Sequence, residues 1–289
     1  MITHSSTLLI NKTRGLKFTE SPRWHDGKLW FLDIHDRRIK TADLEGRVET
    51  AVELPFIPNA FGFRRDNSLL VGNAMQRHIH RWDGTALSPF SDLADITTFC
   101  LSDGIVDAGD RMYVGDIGYD FFDPTAQPVD TCVIACVDPD GRTRVVADGL
   151  HFPNGMVITP DGRTLIVGET MGHRLTAFDI EADGSLANRR IHAQLPAGVS
   201  PDGIALDAEG AVWLANPEGD FGALRVREGG EILERVDMDT ECYAVMLGGP
   251  TRQHLFICGS DSHDPTEIAR TPSATIRVVD VAVPGAGIP

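Results

Sequence analysis

The sequence predicts an all-β fold, a six-bladed β-propeller that spans residues 1–289 as one domain. The first observation behind this prediction is a short apolar strand that ends in a small and then a polar residue and occurs six times. The copies are LWFLDI (29–34), LLVGNA (69–74), MYVGDI (112–117), LIVGET (165–170), VWLANP (212–217) and LFICGS (255–260). Their starts lie 40 to 53 residues apart, close to the period of about 40–50 residues that propeller blades show.

The second observation is that turn signals and further strands flank each copy. A turn signal such as HDG (25–27), PDGR (160–163) or DAEG (207–210) precedes it, and Asp-Gly pairs supply the backbone angles that tight hairpins require. One apolar strand comes before each turn, and a third strand follows each copy. Turn spacing alone would also allow a β-sandwich, but six registered copies favour the propeller.

The two ends of the chain carry the third observation. The segments TLLINK (7–12) and IRVVDVAV (276–283) both resemble strands and lie outside the six copies. A propeller must close its ring without exposing strand edges. We therefore predict that the N- and C-terminal strands pair within one blade and close the ring.

Composition limits the classes of partner. The formal net charge of −16 disfavours binding to nucleic acid or to anionic membranes. The N-terminus has no basic segment followed by a long apolar one, so no signal peptide is expected. The cysteine count of five is odd and includes no CxxC pair, which argues against a disulfide framework and a zinc ribbon. These features predict a cytoplasmic protein, a monomer or small homo-oligomer, whose partner is a small molecule.

Four polar residues occupy equivalent places in different repeats. Hairpin pairing about each predicted turn places Glu20, Asp103, Asn154 and Asp202 at one level of the innermost strands. Residues at one level of different blades converge near the propeller axis. Carboxylate and amide oxygens are ligands for hard divalent cations. The alternative is that SDG, PNG and PDG are ordinary β-turns, but their recurrence ahead of separate turns favours a metal site.

The same pairing predicts a second layer of polar residues opposite the first. Glu20 would face Asp33, Asp103 would face Asp116, and the remaining two would face a carboxylate and an amide. The predicted second layer consists of Asp33, Asp116, Glu169 and Asn216. These residues would support the ligands or only bridge strands through water.

At these residues the sequence resembles the senescence marker protein (regucalcin)/gluconolactonase family. The matching segments are ESPRWHDGKLWFLDI (20–34), FPNGMVITPDGRTLIVGET (152–170) and SPDGIALDAEGAVWLAN (200–216). The resemblance implies a six-bladed propeller with one divalent cation (calcium, zinc, manganese or magnesium) that hydrolyses small lactones. It implies Glu20, Asn154 and Asp202 as the protein ligands of that metal.

The third blade departs from the family pattern. The family has Asn-Asp-Gly there, with an arginine slightly upstream that helps to hold a sugar lactone; this chain has Ser102 before Asp103 and Cys100 upstream. Losing an amide and a guanidinium removes donors for a polyhydroxylated substrate, so a less polar substrate is predicted. Further candidate substrate contacts, each of which could instead be core, are Phe61, Phe121, His151 and Tyr243.

The leading functional hypothesis is metal-assisted hydrolysis of a lactone or related ester. Asp103 would position or deprotonate the attacking water, with Asp202 as the rival base, and Ser102 would donate a hydrogen bond to substrate. No GxSxG motif is present to supply a serine nucleophile. Two alternatives stay open: other metal-dependent chemistry (phosphotriester or phosphorofluoridate hydrolysis, or a non-hydrolytic lactone reaction), and a non-enzymatic calcium-binding protein.

Overall fold

The computed structural model describes residues 1–120, 123 and 125–289, and its strands form six sheets arranged as propeller blades. Each blade has four antiparallel strands built from consecutive chain, except that the sixth blade takes its outermost strand from the N-terminus. The sheet of the fifth blade has in addition a fifth, parallel strand at its outer edge, which also comes from the N-terminus. The innermost strand of every blade contacts the innermost strand of the next, including the sixth with the first. The predicted six-bladed propeller is therefore confirmed.

The strands follow the chain from the innermost to the outermost position of each blade. The N-terminal strands are β1 (Ile2–His4) and β2 (Thr7–Ile10). Blades one to three comprise β3 (Thr19–His25), β4 (Lys28–Asp33), β5 (Arg38–Ala42), β6 (Val48–Glu53), β7 (Pro58–Phe63), β8 (Leu69–Asn73), β9 (His78–Trp82), β10 (Leu87–Asp92), β11 (Leu101–Val106), β12 (Met112–Asp116), β13 (Cys132–Val137) and β14 (Thr143–Leu150). Blades four to six comprise β15 (Pro153–Ile158), β16 (Thr164–Glu169), β17 (Arg174–Ile180), β18 (Leu186–Gln194), β19 (Ile204–Leu206), β20 (Val212–Asn216), β21 (Gly222–Val226), β22 (Ile232–Asp237), β23 (Glu241–Gly248), β24 (His254–Ser260) and β25 (Thr275–Asp280).

The ring closes as the sequence predicted. Strand β2 pairs antiparallel with β25, with Thr7 opposite Val278 and Ile10 opposite Ile276. The first strand was not foreseen: β1 lies parallel to β22 at the outer edge of the fifth blade. Its His4 contacts the Glu234 carboxylate at 2.6 Å. Both N-terminal strands thus join blades whose other strands come from the end of the chain.

The six copies of the sequence repeat are the second strands of the blades, β4, β8, β12, β16, β20 and β24. Their central residues are apolar because each strand lies between two neighbouring blades. The described residues form six apolar clusters, one at each interface between adjacent blades. Between the fourth and fifth blades, for example, Ile166 packs in the same cluster as Leu214. All five cysteines are buried and unpaired, in agreement with the sequence argument against disulfides.

The register of the innermost hairpins differs from the predicted one. Thr19 rather than Glu20 lies opposite Asp33, Leu101 rather than Asp103 lies opposite Asp116, and Pro153 rather than Asn154 lies opposite Glu169. Each of these strands has an irregularity just after the paired residue. Turn-centred pairing assumes an unbroken ladder, whereas a β-bulge inserts an extra residue and redirects its side chain. Asp103 and Asn154 therefore lie within irregular stretches of their strands, and Glu20, which pairs with Leu32, directly precedes one.

The glycines that follow the site residues allow the innermost strands to approach one another closely. A Cβ at Gly155 would lie 2.5 Å from the Asp202 carbonyl oxygen and 2.6 Å from the Ile204 nitrogen. A Cβ at Gly203 would lie 2.6 Å from the Ala244 Cβ. Neither glycine has positive φ. The segments PNG (153–155) and PDG (201–203) are thus not turns. Their glycines are required because the space near the axis is too narrow for a Cβ.

The C-terminal tail covers the end of the channel where the innermost hairpins turn. The Ala286 amide donates to the Leu206 carbonyl, and Ile288 and Ile158 exchange two backbone hydrogen bonds. A small cavity of about 150 Å³ remains there, with Ile288, Pro289 and Arg23 in its lining. The tail leaves the opposite end, where the bulges lie, as the open one.

The loop between β24 and β25 contains α1 (Pro265–Arg270), the one α-helix among the described residues. The Asp264 side chain caps it by accepting hydrogen bonds from the Thr266 and Glu267 amides. Ile268 of this helix is buried against the cluster between the first two blades. Within the described part of the chain no helix is long and apolar enough to cross a membrane.

We expect Gly155→Ala to destabilise the protein by about 1–3 kcal/mol, because the new methyl group overlaps the backbone of the fifth blade. The matched control is Gly109→Ala in a surface turn, where the nearest atoms belong to the flexible ends of Asp107 and Arg111. Urea unfolding followed by circular dichroism measures both changes. Equal stability of the two variants would contradict the close approach at the axis.

Candidate metal centre and substrate cavity

A cavity of about 390 Å³ opens at the bulged ends of the innermost strands. Two sets of residues line it. The floor comes from the beginnings of the innermost strands: Phe18, Glu20, Ile57, Pro58, Asn59, Cys100, Ser102, Phe152, Asn154, Asp202, Glu241 and Tyr243. The wall comes from the loops after the second strands: Ile34, His35, Ala74, Met75, Ile117, Thr170, Met171, Pro217, Glu218, His263 and Pro265.

The three predicted metal ligands Glu20, Asn154 and Asp202 meet on this floor. They reach it from three different blades: Glu20 and Asn154 lie near the start of their innermost strands, β3 and β15, and Asp202 lies two residues before β19. Glu20 is 8% exposed and Asp202 is 9% exposed. Two carboxylates with so little water around them need positive charge or protons to offset them.

The electrostatics of the floor show this need directly. Burial, followed by the charges of Asp202 and Asp103, raises the pKa of Glu20 well above its ordinary value. Burial and the charge of Asp103 likewise raise the pKa of Asp202. A hydrogen bond from the Ser21 amide to Glu20 Oε2 (2.6 Å) offsets this only in part. The three carboxylates therefore repel one another across the axis.

A hydrogen-bond chain orients the Asn154 amide. The Thr170 hydroxyl donates its one proton to the Pro201 carbonyl (2.9 Å), so it can only accept from Asn154. Asn154 Nδ2 donates to Thr170 Oγ1 at 3.2 Å. This fixes which end of the amide is which and leaves Asn154 Oδ1 as an oxygen donor beside the two carboxylates.

The donor set fits a hard divalent cation. Two carboxylates and one amide oxygen are ligands of the type that calcium and magnesium prefer, and zinc and manganese accept them too. Among the described residues no three His, Cys, Asp or Glu side chains are arranged to hold a metal. The candidate centre therefore depends on the Asn154 amide as its third protein ligand, and further ligand positions would fall to water or substrate.

Asp103, the predicted base, is held beside the floor and does not belong to the described lining of the cavity. Its Oδ1 accepts hydrogen bonds from Ser21 Oγ (3.1 Å), Arg23 (3.1 Å) and the Gly104 amide (2.8 Å). The Arg23 side chain is only 7% exposed and also donates to the Gly104 carbonyl. Asp103 thus joins the strands of the first and third blades through an ion pair.

The predicted second layer does not face the ligands. Asp33 accepts from the Phe18 amide (3.0 Å), and Asp116 accepts from the Thr98 amide (2.7 Å). Glu169 likewise accepts from the His151 amide (2.9 Å), and Asn216 accepts from the Ser200 amide (2.9 Å). In each blade the bonded amide lies two to five residues before a floor residue. These four side chains hold the segments that lead into the floor.

The backbone at the floor is strained in two places. Ser21 and Phe152 adopt positive φ values of 46° and 57°, which non-glycine residues rarely do. Such conformations persist where surrounding contacts impose them, and they concentrate at functional sites. Ser21 is fixed by its bonds to Glu20 and Asp103. Phe152 has its ring in the cavity lining.

The two departures from the family pattern, Cys100 and Ser102, both line the floor. Burial raises the pKa of the Cys100 thiol to about 12, so this side chain is a neutral, weakly polar part of the floor at neutral pH. Tyr243 also lines the cavity, where its hydroxyl donates to Glu241 and lies 3.4 Å from His263 Nδ1. These three predicted contacts are thus available to a bound molecule.

Two other predicted contacts, Phe61 and His151, are not part of the described lining of the cavity. Phe61 is fully buried in the cluster between the first two blades, with the Arg23 guanidinium 5.6 Å from its ring centre. His151 is placed by its amide bond to Glu169, and the next residue, Phe152, lines the cavity in its place. Phe121 lies outside the described residues.

Sequence reasoning missed most of the wall. Its members are the last residue of an apolar repeat, the residue directly after it, as in Met75, Met171 and Glu218, or part of the β24–β25 loop, as in His263. It also missed Asn59, whose Nδ2 donates to the Leu101 carbonyl at 2.9 Å. The Pro-Asn pair at 58–59 repeats the pair at 153–154 and was the signal available for it.

We expect Thr170→Val to weaken divalent-metal binding by about tenfold or more, because it removes the hydroxyl that orients the Asn154 amide. The control is Thr143→Val on the outer strand β14, which leaves the floor untouched. Isothermal titration of the metal-stripped protein with calcium, zinc, manganese and magnesium measures the change. An affinity equal to that of the control would show that Thr170 does not position a ligand.

We expect Glu169→Gln to cost about 1.5–3 kcal/mol at neutral pH. Burial raises the pKa of Glu169, but hydrogen bonds from Arg174, Thr176 and the His151 amide outweigh it and hold this pKa below its ordinary value of 4.5. A depressed pKa means that the carboxylate stabilises the folded state above its unfolded pKa and loses this effect as the pH falls.

The gap in unfolding free energy between wild type and Glu169→Gln should therefore narrow as the pH falls below about 4.5, measured by urea unfolding across pH. Glu49→Gln is the control, since Glu49 forms an exposed ion pair with Lys28 of small expected value. A gap that stays constant with pH would contradict the charge-based role of Glu169.

Comparison with known proteins agrees with the geometry. Residues 18–260 match the family described as the SMP-30/Gluconolactonase/LRE-like region. A 6-deoxy-6-sulfogluconolactonase of Pseudomonas putida is 26% identical, with 93% of each chain covered. The pentonolactonase XacC of Haloferax volcanii is 29% identical over 82% of this chain and 80% of its own.

Solved structures share the fold. A calcium-binding protein, regucalcin, from Agrobacterium tumefaciens superposes with a TM-score of 0.82 at 20% identity, with 100% of this chain and 98% of that chain covered. At this identity the likeness concerns the propeller alone. The family match, which extends over most of the chain and includes the three candidate ligands, decides the assignment: the chain belongs to the SMP-30/gluconolactonase/LRE-like family.

Proposed function

We propose that this protein is a divalent-metal-dependent hydrolase that opens the ring of a small lactone. The observation that carries the proposal is the meeting of Glu20, Asn154 and Asp202 on the floor of one cavity, with the pKa values of both carboxylates raised. Lactonase activity in the names of two relatives that match most of the chain supports the reaction class.

A divalent cation held by these three residues would polarise the lactone carbonyl and stabilise the negative charge that develops on it. Asp202 is the residue we assign as the base that takes a proton from the attacking water. It lines the cavity, whereas Asp103 is engaged by Arg23 and Ser21 beside it. Asp103 then serves to hold the floor together, which revises its first assignment as the base.

Other floor residues would orient the substrate. The Ser102 hydroxyl lines the cavity and can donate to a ring or carbonyl oxygen. Asn59 has its amide nitrogen bound to the Leu101 carbonyl, so its Oδ1 is left to accept from a substrate hydroxyl. Together they offer few fixed donors, fewer than an arginine and an asparagine would provide.

The remaining lining favours a substrate less polar than a sugar lactone. Phe18, Ile117, Phe152 and Met171 present apolar surface, and Ile57 and Met75 remain 39% and 44% exposed. Large apolar side chains with this much exposure beside a cavity are expected to cover an apolar part of a ligand. We assign this region to an alkyl or aryl substituent of the lactone. Cytoplasmic location and a monomeric or small homo-oligomeric state stay predictions.

A lactone panel tests the proposal. The protein is stripped with a chelator and assayed on alkyl-substituted and polyhydroxylated lactones after separate addition of calcium, zinc, manganese or magnesium. We expect no turnover without metal, recovery with at least one metal, and higher kcat/KM for the alkyl-substituted lactones. Activity that survives full chelation would overturn the metal requirement.

The chain supplies a matched control for the base. Asp202 and Asp161 both lie in a Pro-Asp-Gly triplet, but Asp161 is in the exposed turn between β15 and β16. We expect Asp202→Asn to lower kcat by about 100-fold or more and Asp161→Asn to leave it unchanged. Full activity of Asp202→Asn, with metal still bound, would remove Asp202 as the base. An absence of lactone turnover under every metal would favour phosphotriester chemistry or simple calcium binding.

A further inference from the structure

The cavity has an unusual balance of charge. Its described lining contains four carboxylates, those of Glu20, Asp202, Glu218 and Glu241, and no lysine or arginine. A divalent cation at the candidate centre would offset Glu20 and Asp202. The carboxylates of Glu218 and Glu241 would then remain without a lysine or arginine beside them in the described lining, at the blade-five and blade-six side of the cavity.

Both carboxylates are held in place. Glu218 Oε2 accepts from the Ser200 hydroxyl at 2.8 Å, and its backbone carbonyl accepts from Asn216 Nδ2 at 2.7 Å. Glu241 accepts from the Tyr243 hydroxyl and lies 3.5 Å from His263 Nδ1. Since neither side chain pairs with a lysine or arginine in these contacts, a charged substituent of a ligand would face them directly.

The two histidines of the lining do not reverse this balance. Burial lowers the pKa of His35, so its ring is neutral at neutral pH. His263 faces Glu241 and can offset that carboxylate only. The formal net charge of −16 for the whole chain adds a field of the same sign around the cavity mouth.

We propose that Glu218 and Glu241 make this site select uncharged lactones and reject lactones that carry a carboxylate, sulfonate or phosphate. This inference rests on the proposed lactonase function and deepens it. It separates this chain from its 26%-identical relative, the 6-deoxy-6-sulfogluconolactonase, whose name denotes a sulfonated and therefore anionic lactone. The difference would come from Glu218 of the wall and Glu241 of the floor, and not from the metal centre.

The test uses lactones with one ring and one chain length that end in a methyl, a carboxylate, a sulfonate or a trimethylammonium group. In the metal-loaded wild-type protein we expect kcat/KM for the methyl compound to exceed that for either anion by about tenfold or more. The cationic compound should be hydrolysed at least as well as the anions. The preference should shrink at 0.5 M salt, because screening weakens charge repulsion.

The variants are Glu218→Gln, Glu241→Gln and their double combination, and the readout in each is its own ratio of neutral to anionic kcat/KM. We expect each single change to lower this ratio several-fold and the double change to lower it further. Glu228→Gln, an exposed residue in the turn between β21 and β22, is the control and should keep the wild-type ratio.

The outcomes separate the two proposals. If no lactone of any charge is hydrolysed, the proposed function fails. If lactones are hydrolysed but the anions match the neutral compound in the wild type, or if the double variant keeps the wild-type ratio, the selection by Glu218 and Glu241 is overturned. The wild-type salt dependence stands as an independent measurement should a variant fold poorly.

Discussion

The close approach of six innermost strands around one axis is the constraint on which the rest of this structure depends. It requires glycine where a Cβ would overlap the next strand, as at Gly155 and Gly203. It also brings side chains from separate blades within interaction distance. The charges of Asp202 and Asp103 therefore raise the pKa of Glu20, and the charge of Asp103 raises the pKa of Asp202. A ring that closes through β2 and β25 keeps this geometry fixed.

The floor imposes a cost in stability that other contacts offset. Buried carboxylates that repel one another destabilise the folded state, and the positive φ of Ser21 adds strain. Side chains at the ends of the second strands, such as Glu169, accept hydrogen bonds from backbone amides, here that of His151, and so hold the segments that carry the candidate ligands. The ion pair of Arg23 with Asp103 joins the first and third blades beside them. Contacts around the floor thus keep it in place, although the floor residues themselves destabilise the folded state.

The sequence predicted those parts of the fold in which a residue pattern repeats strongly. The six second strands are apolar because both their faces are buried between blades, and they were found. The outermost strands, such as Leu186–Gln194, are polar and exposed along most of their length and were not separated from loops. The candidate ligands were predicted because they recur at one level, and the structure brings all three to one cavity. Their bulges were not predicted, since no residue type marks an inserted residue in Pro153–Ile158. Phe61 was misassigned because burial of an aromatic ring depends on packing between blades.

The floor and the wall of the cavity differ in how freely their residues can be substituted. Floor residues lie on innermost strands, where each backbone position is constrained by the adjacent blade. Wall residues such as Met75, Met171 and Glu218 follow the second strands in loops, where substitution leaves the ladders intact. Relatives named for a sulfonated hexonolactone and for pentonolactones match this chain over most of its length. If the proposed function holds, the floor would determine that a carbonyl is attacked, and the wall would determine which molecule presents it.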